Sequence, residues 1–164
     1  MNIDSQIRLL EQDDTQTALH LLVSVFGQKV NQLARGELER MFSREPFRPY
    51  FIGAFDDLRL IGVVATVQLL FTTDTFGLCW VCVHPDRQRQ GLGTRLVVAA
   101  IEFTRLELLR QKPGTLLLNV SDELSGFYRR LGFARGSSMH GDGLVMSMIV
   151  NQRSDALDTI TWNG

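Results

Sequence analysis

Two periods alternate along this chain. Apolar residues recurring every third or fourth position mark helices, and short runs rich in Val, Ile, Phe and Trp mark strands. Ile7-Arg8-Leu9-Leu10 reads as a short strand. Ala18, Leu21, Leu22, Val25 and Phe26 form a helical stripe that Asp13 or Asp14 can cap and Gly27 can end. Residues 33–44 repeat the period with Leu33, Leu38, Met41 and Phe42, while Glu37 and Glu39 make that face partly polar. After a loop bracketed by Pro46 and Pro49, residues 50–55 and 59–70 predict strands about an Asp56-Asp57 turn that lacks the usual glycine. Thr73-Asp74-Thr75 marks the next turn, and residues 78–83 the next strand, completing an antiparallel meander.

From Gly91 to Arg110 the helical period returns, with Leu92, Leu96, Val97, Ala100, Phe103, Leu106 and Leu109 on one face. Pro113-Gly114 breaks it. Residues 115–120 are apolar except Asn119, which predicts a buried strand. Ser121 or Asp122 can cap a short helix to Leu131. Phe133 opens another strand, and residues 144–150 form the last, joined to it by a glycine-containing loop over 137–143. The expectation is a single domain over residues 1–150. The tail, 151–164, has no clear period and is either disordered or an added edge strand at 158–162.

The chain has 164 residues, 45% hydrophobic and 21% charged, with net charge −1. That suits one globular domain and does not point to nucleic acid or to an anionic membrane. No run of about 18 apolar residues exists, and Met1-Asn2-Ile3-Asp4-Ser5 lacks a signal-peptide core; the expected location is the cytoplasm. Cys79 and Cys82 are spaced as in redox and zinc motifs. On a regular strand, residues three apart face opposite ways, so the two sulfurs should share neither a metal nor a disulfide. No second ligand pair accompanies them; the histidines are His20, His84 and His140.

Residues 78–96 carry the candidate chemistry. A strand stopped by Pro85 leads through a loop closing on Gly91-Leu92-Gly93 into a helix. Unpaired N–H groups and the helix dipole make such a start an anion site, phosphate above all. Arg87, Arg89 and Arg95 against Asp86 leave the segment net positive. A plain helix start with a glycine turn explains the same residues. It is not the dinucleotide fingerprint, because Leu96 stands where a third glycine would, and no Walker loop occurs.

The order Val83-x-Pro85, then Gln88-x-x-Gly91-x-Gly93, resembles the acetyl-CoA signature of the GNAT N-acetyltransferase superfamily. A second segment, Gly126-Phe127-Tyr128-Arg129-Arg130-Leu131-Gly132-Phe133, is similar to the family's aromatic-Tyr-x-x-x-Gly-Phe stretch. The resemblance covers roughly residues 6–150. It implies an α+β fold: a mixed sheet of about seven strands, an antiparallel meander plus a parallel pair, flanked by about four helices. It implies acetyl-CoA as cosubstrate and direct attack of an amine on the thioester. Residues 88–94 (Gln88, Arg89, Gln90, Gly91, Leu92, Gly93, Thr94) would hold the pyrophosphate through their amides, and a branched Cβ at Gly91 or Gly93 should intrude there. The amides of Val81 and Val83 would pair with pantetheine like another strand. Asn119 would bind pantetheine or merely bridge two strand ends. Tyr128 matches the tyrosine that protonates the leaving thiolate, although a tyrosine near a core also simply packs.

Two departures stand out. Some members carry a glutamate where Gly77 lies here; Asp74, His140 or water remain as proton acceptors. Many carry Asn-x-x-Ala before the tyrosine, where this chain has Ser121 and Leu124. The acceptor pocket is expected between the first two helices and loops 27–50 and 136–143. Phe26, Phe42, Phe47, Tyr50, Phe71 and Trp80 supply aromatic material. Glu37, Glu39 and Glu45 either recognise a cation or form a solvated face. Small amines, amino acids, aminoglycosides and peptide N-termini stay open as acceptors; a homodimer is compatible, and no metal is expected. Two other readings compete: a non-catalytic acetyl-CoA-binding sensor or regulatory module, and an unrelated α/β domain with a structural glycine loop.

Overall fold

The computed structural model describes residues 5–69, 72–138 and 143–150. His140, Phe71 and the 151–164 tail lie outside them. The elements follow as β1 (Gln6–Leu9), α1 (Thr15–Phe26), α2 (Asn31–Met41), β2 (Tyr50–Asp56), β3 (Arg59–Gln68), β4 (Thr75–Val83), α3 (Leu92–Phe103), β5 (Gly114–Ser121), α4 (Asp122–Arg130), β6 (Ala134–Ser138) and β7 (Gly143–Val150). Seven strands make one sheet in the order β1-β2-β3-β4-β5-β7-β6. Every neighbouring pair is antiparallel except β4–β5.

Helices cover the sheet on both sides, which is why β2 and β3 are apolar almost throughout. On one face α3 and α4 bury Leu96, Val97, Leu116, Met146 and Tyr128. On the other α1 and α2 bury Leu19, Leu22, Leu38 and Phe51. At about 25 cal/mol per Å² of apolar surface removed from water, these two layers supply most of the driving force.

Several boundaries differ from the sequence reading for local reasons. Asp14 does not cap α1; its carboxylate accepts the Glu11 N–H at 2.7 Å and the Arg8 guanidinium at 2.7 Å. Burial alone would raise that carboxyl, but Arg8 and the Glu11 N–H outweigh it and hold it below the usual range. Gly27 ends α1 as expected, at φ +87°. In α2 the buried stripe is Ala34, Leu38 and Met41, whereas Leu33 is 60% and Phe42 37% exposed. Each helical residue turns by about 100°, so one position is enough to swing a side chain off the stripe. The β2–β3 hairpin turns at Asp57, which takes φ +53° in place of a glycine; aspartate tolerates that backbone.

The predicted helix to Arg110 is α-helical only to Phe103, and a π-helical turn follows over Thr104–Leu108. The Thr104 hydroxyl donates to the Ala100 carbonyl at 2.8 Å and lies 3.2 Å from the Thr66 hydroxyl. A hydroxyl inserted into the backbone ladder is a recognised cause of such widening. Ser121 stands at the start of α4, but its side chain makes no capping bond. Among the described residues no helix is long and apolar enough to cross a membrane.

Candidate active site

Strand pairing is cut short in the middle of the sheet. β4 and β5 pair only at Thr75–Thr115, Phe76–Leu116 and Gly77–Leu117. Beyond Gly77, β4 runs to Val83 with β3 alone as neighbour. A β-bulge accompanies the separation. Cys79 faces Ala65 and Cys82 faces Val63, so Trp80 and Val81 together oppose Val64, and Trp80 adopts φ +53°. Bulges bend the strand that carries them.

The bulge also corrects the cysteine reading. One inserted residue restores the phase, so Cys79 and Cys82 lie on the same side, both packed against the α1–α2 layer. Burial, with the negative charge of Glu37 adding to it at Cys79, pushes both thiols up to about 12. Among the described residues no cluster of three or more His, Cys, Asp or Glu could hold a metal. With pKa about 12, roughly one thiol in ten thousand is thiolate at pH 8. Iodoacetamide at pH 8 should therefore leave the native protein unlabelled, while the unfolded chain takes two labels by mass spectrometry. Native labelling at the unfolded rate would contradict this burial.

At the far end of β4 the chain turns through a braced loop into α3. The Gln88 side-chain amide donates to the Val83 carbonyl at 3.1 Å and that of Gln90 to the Asp86 carbonyl at 3.3 Å. Arg89 and Gly91 take left-handed backbone, φ +59° and +78°. The first α3 amide with a carbonyl acceptor is that of Arg95, bonded to Gly91 at 3.1 Å. The amides of Leu92, Gly93 and Thr94 precede it and have no backbone acceptor among the described residues. A Cβ on Gly91 would meet nothing within 4 Å. One on Gly93 would rest on Phe127 at 3.8 Å and Val83 at 3.9 Å. The two glycines are thus unequal: only Gly91 borders open space.

The positive charge is narrower than the sequence suggests. Arg87 pairs with Asp56, and Arg95 donates to the Ser5 hydroxyl at 2.6 Å and its carbonyl at 2.8 Å. Arg89 is exposed and makes no ion pair among the described residues.

Tyr128 lies on the α3–α4 side of the sheet. Its ring packs edge-on against Phe127 at 4.9 Å and Phe133 at 5.8 Å, and Phe127 in turn lies beside Gly93. The side chain is buried, which pushes the phenol up to about 12. Its hydroxyl has no hydrogen-bond partner among the described residues. No sealed side-chain oxygen or nitrogen there lacks a partner, so this hydroxyl must reach solvent. Asn119 is exposed on β5, and its amide occupies the space where a Cβ on Gly143 would lie. Asp74 belongs to the closed end: its carbonyl accepts the Thr115 N–H at 2.7 Å and its carboxylate the Thr75 hydroxyl at 3.3 Å.

On the α1–α2 side, one ring contact joins two of the predicted aromatics among the described residues. Phe26 meets Trp80 edge-on at 5.7 Å, whereas Tyr50 packs against Phe103 on the opposite face of the sheet. The glutamates also separate. Glu39 and Phe42 line a surface hollow of about 410 Å³ with Gln12, Thr15 and Ser43, and Glu45 reaches Arg40 at 3.6 Å. Glu37 alone turns to the sheet, where it accepts the Trp80 indole N–H at 3.4 Å. That contact was not legible beforehand, because it depends on the bulge.

The sheet is thus opened along β4, with free amides at a helix start beyond the opening. Residues 48–135, over half of the chain, match the model of the acetyltransferase (GNAT) domain. The chain belongs to that family. Curated proteins gave no match. Solved structures share the fold. A GNAT-family acetyltransferase structure from Desulfovibrio desulfuricans superposes with TM-score 0.76 at 20% identity, covering 89% of this chain and 99% of that one. An aminoglycoside 6'-N-acetyltransferase complexed with coenzyme A gives 0.72 at 17%, covering 92% and 99%. A Vibrio cholerae spermidine N-acetyltransferase, in complex with CoA and spermine, gives 0.70 at 16%, covering 92% and 98%. The α+β fold that the two motifs implied, with its single parallel pair, is the fold observed.

Proposed function

We propose that this protein moves an acetyl group from acetyl-CoA to a primary amine, on a small molecule or a peptide N-terminus. One observation carries the reading: β4 is unpaired from Leu78 to Val83 on the side facing β5, and that gap leads to the free amides of Leu92, Gly93 and Thr94. A ligand with amides along its length and phosphate at its end matches both. Acetyl-CoA has that build, and the Cβ-free space at Gly91 fits its pyrophosphate.

The chain's own groups then divide the work. The loop and helix start, Gln88 to Thr94, hold the pyrophosphate, with Arg89 adding charge; Gln88 and Gln90 contribute backbone, since their side chains brace the loop. The β4 amides at Val81 and Val83 align the pantetheine arm, and Asn119 borders its path. Acetyl-CoA supplies an activated thioester; the amine nitrogen forms the new bond to the acetyl carbon as the bond to sulfur breaks. Tyr128 donates its proton to the departing sulfur, for which a phenol of pKa about 12 is fully protonated at neutral pH. At pH 7 only about one amine in a thousand is unprotonated, so a proton must also leave the acceptor. Asp74 is engaged in its turn, so His140 or water takes that proton. A cytoplasmic location, one domain over residues 1–150 and a homodimer all agree with this reading.

Gly77 favours a second reading, a module that binds acetyl-CoA without transferring it, since no carboxylate stands there. Calorimetry with acetyl-CoA and a thiol-release screen over alkylamines, amino acids, aminoglycosides and peptides with free N-termini separate the two. Binding with thiol release supports the enzyme. Binding without release in any class supports the module. No binding overturns both.

A further inference from the structure

We infer that Glu37 is the binding residue for a cationic acceptor, holding a protonated alkylamine beside the Trp80 indole that Phe26 braces. The inference rests on the acetyltransferase reading for the presence of an acceptor, and on separate geometry for its charge. Glu37 flanks the buried stripe of α2, three positions after Ala34 and four before Met41. Its carboxylate is therefore half-buried rather than displayed with Glu39. The Trp80 indole N–H donates to it at 3.4 Å, which aims one oxygen and leaves further lone pairs on the carboxylate unused. Trp80 stands in the bulge itself, at the opening in β4. Phe26 braces the indole edge-on.

The decisive feature is an unpaired charge. Among the described residues no Lys, Arg or His pairs with Glu37, although the other polar contacts of α1 and α2 are local and satisfied. An unpaired carboxylate beside an indole offers oxygen lone pairs to an incoming ammonium. Beside an indole, an alkylammonium gains twice, from the charge-assisted hydrogen bond and from the ring face. A neutral acceptor gains neither. The chemical class selected is thus an aliphatic amine bearing positive charge, with aromatic or acidic acceptors disfavoured.

The test uses fluorescence, so it needs no turnover. The chain has two tryptophans; W162F leaves Trp80 as the reporter. Titration of that variant with 1,4-diaminobutane at fixed ionic strength should change Trp80 emission saturably, and 1,4-butanediol should not. Adding Glu37→Gln, which can still accept the indole N–H, should weaken diamine affinity at least tenfold. Acetyl-CoA affinity by calorimetry should stay the same in both variants, which reports an intact fold and tests the cosubstrate site independently. No diamine response in W162F, an equal response without the carboxylate, or an equal response to the diol overturns the inference. Loss of acetyl-CoA binding in both, with the diamine response kept, overturns the acetyltransferase reading instead.

Discussion

Replacing Tyr128 by phenylalanine should lower turnover about a hundredfold or more and leave acetyl-CoA affinity within a few-fold. The ring packs on Phe127 and Phe133 through its edges and faces, and a phenylalanine ring in its place would keep those contacts. Only the unbonded hydroxyl disappears, so no buried partner is orphaned. One neutral hydrogen bond nets about 1 kcal/mol in binding, whereas loss of a general acid costs about 3 kcal/mol in the barrier at a hundredfold. The sign of the pH dependence follows from burial. Desolvation raises the phenol to about 12, so the donor form persists across neutral and mildly alkaline pH, and this group should add no falling limb there. The deficit should shrink for a thioester with a more acidic thiol, which needs less help to leave. Steady-state rates under conditions where chemistry limits the reaction are the measurement; full turnover by Tyr128→Phe would defeat the assignment.

At Gly91 two substitutions should part company with each other and with Gly93. Gly91→Val forces a β-branched residue to φ +78°, with strain of about 1–2 kcal/mol or more, and fills the space left open beside the free amides. Both a lower melting temperature and a loss of acetyl-CoA affinity of about a hundredfold are expected. Gly91→Asn tolerates the left-handed backbone, so it should melt near the parent yet still bind weakly, because its side chain enters the same space. Gly93→Ala should be mild, since its methyl would rest on Phe127 and Val83. Calorimetry and thermal melts on the three variants decide the matter. Parental affinity in a folded Gly91→Asn would move the phosphate elsewhere.

The sequence disclosed the elements and the chemistry that depends on neighbours along the chain. The strand, loop and helix from 78 to 103 were legible because Pro85, Gly91 and the helical period act within a few residues of one another. The helix stop at Gly27 was legible for the same reason. What escaped depends on partners far away. Nothing in Cys79-Trp80-Val81-Cys82 announces a bulge; it exists because β3 offers one residue, Val64, against two. Arg87 and Arg95 looked free for a phosphate, yet they answer to Asp56 and Ser5, 31 and 90 residues away. Glu37 read as one of three equivalent charges. A two-residue difference in helix phase from Glu39, together with a tryptophan 43 positions on, distinguishes it. The insertion of β7 between β5 and β6 is likewise a matter of sheet order that local pattern does not encode.

Sheets ordinarily leave their unpaired edges at the rims, where a stray strand from another molecule can add on and begin an aggregate. This sheet has its rims at β1 and β6 and a further edge inside, along Leu78–Val83. The inner edge is walled. Leu92 and Leu96 belong to the layer on one face, and Trp80 and Phe26 pack against the layer on the other. A strand from another molecule therefore meets the rims at β1 and β6 before it meets this inner edge, which is sheltered between the two layers.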